Sequence, residues 1–364
     1  MEIISYTPVT ILDFVSSDQF QSLKHLPISK HRAVSYAQNP RAAASDKILF
    51  VAYENDEVAG YLGALPDRLF YRNEWKRMTW LSCFWVDPQF RGKEISKKLF
   101  ECAMKEWNET AIITNMKPGT LKIYERTGYF HSPDSIEGTR GYLRFNLAEV
   151  LPPRGGFYSR IKPLLEVFDF SLNLVNAIRL LFYPGYKPDP GIRCEYVEEI
   201  SDETGAFIDG CNERYLSRRG KPELEWICRY PWVMEQEKED ADSRRYYFSS
   251  ISKRFFSQLV EFRDAEGTVS GFMMLSVRNN HLTVPYSFFR SGMETTLVKF
   301  LFNTMLDFQL NMLTVFQPKL SAEIRNKRTP FIFKKKIIRP YFLPKTMEFP
   351  ELAFQDGDGD CVFT

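Results

Sequence analysis

The segment from Thr79 to Lys98 holds the residues best arranged for chemistry. Thr79 to Val86 is an unbroken β-prone run containing Trp80, Phe84 and Trp85. Asp87-Pro88 ends it, because proline has no N–H to give a ladder. Arg91-Gly92-Lys93 follows, and Glu94 to Trp107 then places Ile95, Leu99, Phe100, Ala103 and Trp107 at helical spacing. A strand, a glycine turn and a helix start together bind phosphate. The first helical turn has N–H groups with no intrahelical acceptor, and the helix dipole puts positive charge there. Lys93, Lys97 and Lys98 add cations beside it. The same residues also read as a plain helix start, with Glu94 complementing the dipole and nothing bound.

A second cluster follows. Ala111 to Thr114 is a short β run ending at Asn115, and then comes Leu121-Lys122-Ile123-Tyr124-Glu125-Arg126-Thr127-Gly128-Tyr129. Taken alone, Tyr124 reads as a core residue of an amphipathic helix. Taken with Val86, Pro88, Arg91 and Gly92, it makes residues 47–130 resemble the GNAT superfamily of acyl-CoA-dependent N-acyltransferases. That superfamily carries V-x-P-x-x-R-G-x-G-x-G/A before a helix and L-Y-E-K-x-G-F later.

The resemblance implies a site. N–H groups from Arg91, Gly92, Lys93, Glu94, Ile95 and Ser96 would hold the CoA pyrophosphate, with Lys97 beside them. The main chain of Phe84, Trp85 and Val86 would bind the pantetheine arm, and Asn115 the cofactor or a bound water. Tyr124 would face the thioester sulfur as general acid. An amine would attack the thioester directly in a ternary complex. A thiol titrates near 8.5 and a phenol near 10, so a positioned tyrosine can deliver the proton that the leaving thiolate needs. The implied co-substrate is acetyl-CoA or another acyl-CoA, with no metal. The acceptor is a small-molecule or peptide amine.

Two residues depart from the pattern. Glu94 stands where the family has glycine, and Ser96 where it has glycine or alanine. A carboxylate near a pyrophosphate is repulsive. Glu94 therefore motivates a second reading, a non-catalytic acyl-CoA-binding or assembly module. The general base stays open: Thr79 to Val86 holds no carboxylate, Asp67 and Glu74 in the loop before it are candidates that read better as solvated loop charges, and water could take the proton instead.

The elements that position these residues form two sets. At roughly 100–200 residues per domain, the 364-residue chain holds two. Val51 to Gly63 is echoed by Val260 to Phe272, with Gly60-Tyr61 matched by Gly271-Phe272. Lys117-Pro118 is likewise echoed by Gln317-Pro318. The expected fold is α/β (α+β), with two GNAT-like domains, each a mixed, mostly antiparallel sheet flanked by helices. Residues 1–150 form the domain with the acyl-CoA site. Residues 151–190 hold a Pro/Gly breaker and an amphipathic connector helix, and 191–364 form a second copy without the CoA loop. In that copy only Arg290-Ser291-Gly292-Met293 separates strand from helix, and Asn326 stands opposite Tyr124. It either shapes the acceptor cleft or serves as scaffold.

In the connector, Lys162, Glu166, Asp169, Asn173, Asn176 and Arg179 form one polar stripe on a helix over 161–182. Its wide apolar face is expected to be clamped between the domains. The alternative is peripheral membrane contact.

Composition narrows the remaining classes. A net charge of +2 gives no footprint for nucleic acid. The start of the sequence lacks the regions of a signal peptide, and no apolar stretch is long enough to span a bilayer. The six cysteines show no metal spacing, so reduced thiols in a cytoplasm are expected. Asp356-Gly357-Asp358-Gly359-Asp360 resembles the start of a calcium loop. It lacks the closing glutamate and is expected to be a turn with exposed carboxylates.

Overall fold

The computed structural model describes residues 1–114, 124, 127–131, 133–181, 191–327, 329–349 and 351–363. Asn115 lies outside them. Among the described residues, twelve strands join in one sheet. Its first part is antiparallel: β1 (Glu2–Tyr6), β2 (Leu49–Glu54), β3 (Glu57–Tyr71) and β4 (Glu74–Val86). β3 and β4 are one long hairpin turned at Arg72-Asn73, both at positive φ as a two-residue hairpin turn demands. Asp67 and Glu74 are therefore strand residues and not loop charges. β5 (Ala111–Thr114) runs parallel to β4, reached through the helix Ile95–Glu106.

The second half repeats this plan. β7 (Arg193–Val197), β10 (Phe255–Arg263), β11 (Val269–Arg278) and β12 (His281–Phe289) are antiparallel neighbours. The helix Glu294–Asp307 then leads to β13 (Met312–Val315), parallel to β12. A separate pair, β8 (Met234–Glu235) and β9 (Ile251–Ser252), lies apart from the sheet.

The halves interlock through β6 (Asp134–Tyr142) and β14 (Phe333–Phe342). β14 comes from the end of the chain yet lies between β5 and β6, while β6 from the first half lies between β14 and β13. Each half thus completes its sheet with a strand of the other. A buried ion cluster ties them further. Asp67 on β3 accepts from Arg41 Nη1 at 2.6 Å, Arg219 Nη2 at 2.7 Å and Trp80 Nε1 at 2.8 Å. Arg41 also meets Glu223 at 2.6 Å. The two guanidinium groups hold the Asp67 carboxyl down at about 2.

The connector helix Lys162–Leu181 departs from expectation. Its polar stripe, not its apolar face, packs on the protein. Asp169 accepts from the Leu147 and Ala148 N–H groups at 2.8 and 2.9 Å. Asn173 pairs with both main-chain groups of Phe145, and Asn176 donates to the Leu143 carbonyl. Past Tyr142 the segment 143–148 leaves the sheet: the Leu143 and Arg144 N–H groups still reach the Asn311 carbonyl, but the main-chain groups of Phe145 and the N–H groups of Leu147 and Ala148 find side chains. Those bonds select the polar stripe as the inner face, and the apolar residues are left outside.

Candidate active site

β4 and β5 pair over only three positions, Thr79–Ala111 to Leu81–Ile113. Beyond Leu81, β4 bulges: Gly63 faces Ser82 while Tyr61 faces Trp85, so Cys83 and Phe84 together oppose Leu62. Cys83 takes a φ of 51° to make the bulge. The two parallel strands part there, and a cavity of about 1070 Å³ opens along β4 and the start of the helix Ile95–Glu106.

The turn into that helix has the form phosphate binding requires. Gly92 has φ 86°, and a Cβ there would meet nothing within 4 Å, so this face of the turn is open. Asp87 accepts from Gln89 N and shapes the chain after the strand. Ile95, Ser96 and Lys97 are the first helical residues, and the intrahelical ladder has no acceptors for their N–H groups. Glu94 caps the helix with φ 57°, the left-handed conformation for which a glycine is the natural residue. It makes no side-chain capping bond and its side chain is exposed. The turn thus holds a backbone conformation that suits glycine, with a carboxylate on it. These residues fit an acyl-CoA pyrophosphate.

Most of the residues expected from the sequence converge on this cavity: Phe84, Trp85, Val86, Arg91, Gly92, Glu94, Ile95, Ser96 and Tyr124 line it. Lys93 and Lys97 do not. Lys93 reaches Glu54 at 3.3 Å, and Lys97 lies 4.0 Å from Glu101. Tyr124 is 4% exposed, among Phe84, Phe100, Phe130 and Phe342. Burial, with the Asp360 carboxylate adding to it, pushes its phenol above the ordinary value. Tyr124 therefore stays protonated at neutral pH and can donate.

Three further features complete the site; the sequence pointed to neither the first nor the third, and left the second open. Arg32 is 2% exposed and lines the cavity. It donates to Ser82 Oγ at 2.6 Å and Tyr246 Oη at 3.0 Å, and also to Tyr36 and Cys83. Its guanidinium stacks on Trp232 at 4.0 Å. Second, the cavity is walled partly by the second half, through Trp232, Tyr246, Tyr247 and Phe248. The third is the C-terminal acidic segment, which is not an exposed turn. Asp356 and Asp358 are buried, bound to Arg339 and to Ser217 and Tyr286. Asp360 is half-buried and lines the cavity. Desolvation raises its carboxyl above the ordinary range, opposed by Arg32. Spacing in sequence gives no sign of Asp360, which only the tertiary fold brings to β4. Asp67 and Glu74 line no part of the cavity; Asp67 is spent on its arginines and Glu74 sits exposed beside Lys76.

The second half has lost the equivalent features. Glu294 accepts from Gly292 N at 2.9 Å and so fills its own turn. The bulge in β12 near Val284 and Pro285 is occupied by the chain end, with Gly357 N donating to the Pro285 carbonyl at 2.8 Å. Among the described residues no cluster of side chains could hold a metal ion.

Residues 45–130 match the family model of the acetyltransferase (GNAT) domain. No curated protein matches it in sequence. Solved structures share the fold across nearly the whole chain. A tandem GNAT protein from the clavulanic acid biosynthesis pathway aligns at TM-score 0.50 and 12% identity, covering 94% of this chain and 97% of that one. Saccharomyces cerevisiae N-myristoyltransferase with bound myristoyl-CoA aligns at 0.51 and 11%, covering 94% and 78%. A conserved protein of unknown function from Enterococcus faecalis V583, described as a probable N-acyltransferase, aligns at 0.52 and 10%, covering 94% and 73%. The expected two-copy α/β architecture is the one found.

Proposed function

We propose that the protein transfers an acetyl or related acyl group from acyl-CoA to an amine. The acyl-CoA site lies in residues 1–150; residues 151–190 connect it to the 191–364 half, which walls the acceptor side. The observation that carries this reading is one cavity shared by the open helix N-terminus after Gly92, the β4 bulge at Cys83-Phe84, the Tyr124 phenol and the Asp360 carboxylate. The thioester supplies an activated acyl carbon, and the chain's own residues do the rest. N–H groups at the start of the helix Ile95–Ser96 hold the phosphates. The parted main chain from Phe84 to Val86 takes the pantetheine arm. Tyr124 donates its proton to the leaving sulfur. Asp360, a carboxylate with raised proton affinity, accepts a proton from the attacking amine. Cys83 takes no covalent part, because burial raises its thiol and keeps it protonated.

A small-molecule or peptide amine suits the semi-enclosed cavity. Release of free CoA thiol from acetyl-CoA, followed with a panel of amines, tests the reading. Amine-dependent release supports it. Tight acetyl-CoA binding with no release to any amine, and no hydrolysis, would favour the non-catalytic binding module that Glu94 first suggested.

A further inference from the structure

The helix Lys162–Leu181 is turned inside out. Its buried residues are Leu165, Asp169 and Asn176, whereas Phe170 is 73% exposed, Val175 67% and Leu181 83%. From Val167 to Ile178 the outward face carries no charge; its one polar side chain, Ser171, bonds back to the Val167 carbonyl at 2.9 Å. That stretch is about 18 Å of helix at 1.5 Å per residue. Phe157, 68% exposed, extends the surface at one end. With its phenylalanines and aliphatic residues the face presents on the order of 1000 Å² of apolar surface, beyond the few hundred typical of a soluble monomer.

The arrangement is fixed and not a matter of rotation. Asp169, Asn173 and Asn176 are committed to the main chain of residues 143–148, so turning the helix to hide its apolar face would strand those groups. The exposed apolar residues wrap most of the circumference of a protruding cylinder. A protein partner covers one side of a helix and keeps a polar rim; a bilayer surface surrounds such a ridge. Charge agrees with lipid. Arg160 and Lys162 stand exposed at the start of the face, with Glu166 beside Lys162 and with Glu149, Glu237, Glu239, Lys253 and Arg254 along the cleft that Lys162 lines. Beside the anchoring segment, an apolar groove of about 300 Å³ between Phe145, Leu147 and Phe333 carries Arg144 and Lys335. No helix among the described residues is long and apolar enough to cross a membrane. We propose that this helix lies in the headgroup boundary of an anionic bilayer and holds the enzyme at a membrane surface.

The test is flotation of the full chain with vesicles of equimolar phosphatidylglycerol and phosphatidylcholine, and with phosphatidylcholine alone. The wild type is expected to float with the anionic vesicles, less with the neutral ones, and less as salt rises. The variant Phe170→Asp/Val175→Asp should lose at least tenfold in lipid partition with an unchanged circular dichroism spectrum and melting temperature. Arg160→Gln/Lys162→Gln should lower the preference for anionic lipid while leaving the fold intact. Absence of wild-type flotation, or equal flotation of the Phe170→Asp/Val175→Asp variant, would overturn the proposal. So would a wild type that runs as a dimer and does not float, beside a monomeric variant, which would give the face to a second copy.

Discussion

Replacing Asp67 with asparagine keeps the size of the side chain and removes its charge. In the native protein the carboxylate is 1% exposed and accepts from Arg41, Arg219, Trp80 Nε1 and the Arg68 N–H. The variant leaves Arg219 without a carboxylate in contact, while Arg41 keeps Glu223. The displacement of the Asp67 carboxyl from 3.8 to about 2 is equivalent to roughly 2–3 kcal/mol in favour of its charged form in the folded state. Removing one partner of a buried ion pair costs about 3–5 kcal/mol in total, since the stranded cation adds its own penalty. At roughly 2 °C per kcal/mol for a chain of this size, the melting temperature should fall by about 6–10 °C. The pH dependence has a definite sign. A carboxylate whose folded value is depressed stabilises at every pH above its ordinary value and ceases to do so as pH falls through the folded value. The gap between wild type and variant should thus be constant from pH 8 to pH 5 and close between about pH 4 and pH 2. Differential scanning calorimetry across that range reads both. A loss under 2 °C at pH 7, or a gap that narrows above pH 5, would show that the carboxylate does not bear the charge of this cluster.

Tyr124→Phe removes a hydroxyl with no described hydrogen-bond partner, so melting temperature and acetyl-CoA affinity should hold. Turnover should fall at least tenfold, within the roughly 10²–10⁴ range of a general acid; full activity would remove Tyr124 from the mechanism. Glu94→Gly relieves a left-handed backbone that costs an L-residue about 1–2 kcal/mol, of which glycine's greater unfolded freedom returns up to about 1. A melting temperature unchanged or slightly raised is expected, with acetyl-CoA binding severalfold tighter at low salt and the gain fading at high salt; weaker binding in calorimetry would give the carboxylate a positive role. Asp360→Asn should slow turnover and abolish the acid limb of the pH–rate profile, whose midpoint in the wild type lies above the ordinary carboxyl value. A variant that keeps that limb would place the base elsewhere.

The strand, glycine turn and helix start were legible in the sequence because they are contiguous: β4, the proline stop, Gly92 and the helix from Ile95 follow one another within about twenty residues. Tyr124 was legible through its neighbours in the family pattern. The two-copy plan showed through Gly60-Tyr61 and Gly271-Phe272, which occupy matching places on β3 and β11. What was hidden depends on long-range closure. The exchange of β6 and β14 leaves each strand looking like an ordinary member of its own half. Asp67 read as a loop charge because the turn at Arg72-Asn73, which makes β3 unusually long, carries no glycine. Asp360 is carried to the cavity by a chain end that packs against Trp80, Thr114 and Tyr286. The connector helix misled for a different reason. Periodicity gives the angle of a polar stripe but not which side faces the protein, and here segment 143–148 chose the polar one.

The central claim is that the turn from Arg91 to Ser96 is an acyl-CoA site, and calorimetric titration of acetyl-CoA into the wild type and into Gly92→Asp measures it most directly. A Cβ there would meet nothing within 4 Å, so the aspartate adds a negative charge to the turn without a clash, at the cost of the strain that a φ of 86° puts on any residue but glycine. Saturable one-to-one binding to the wild type, weakened at least tenfold in the folded variant, is the expected result. No heat of binding to the wild type, or equal affinity in both proteins, would contradict the account.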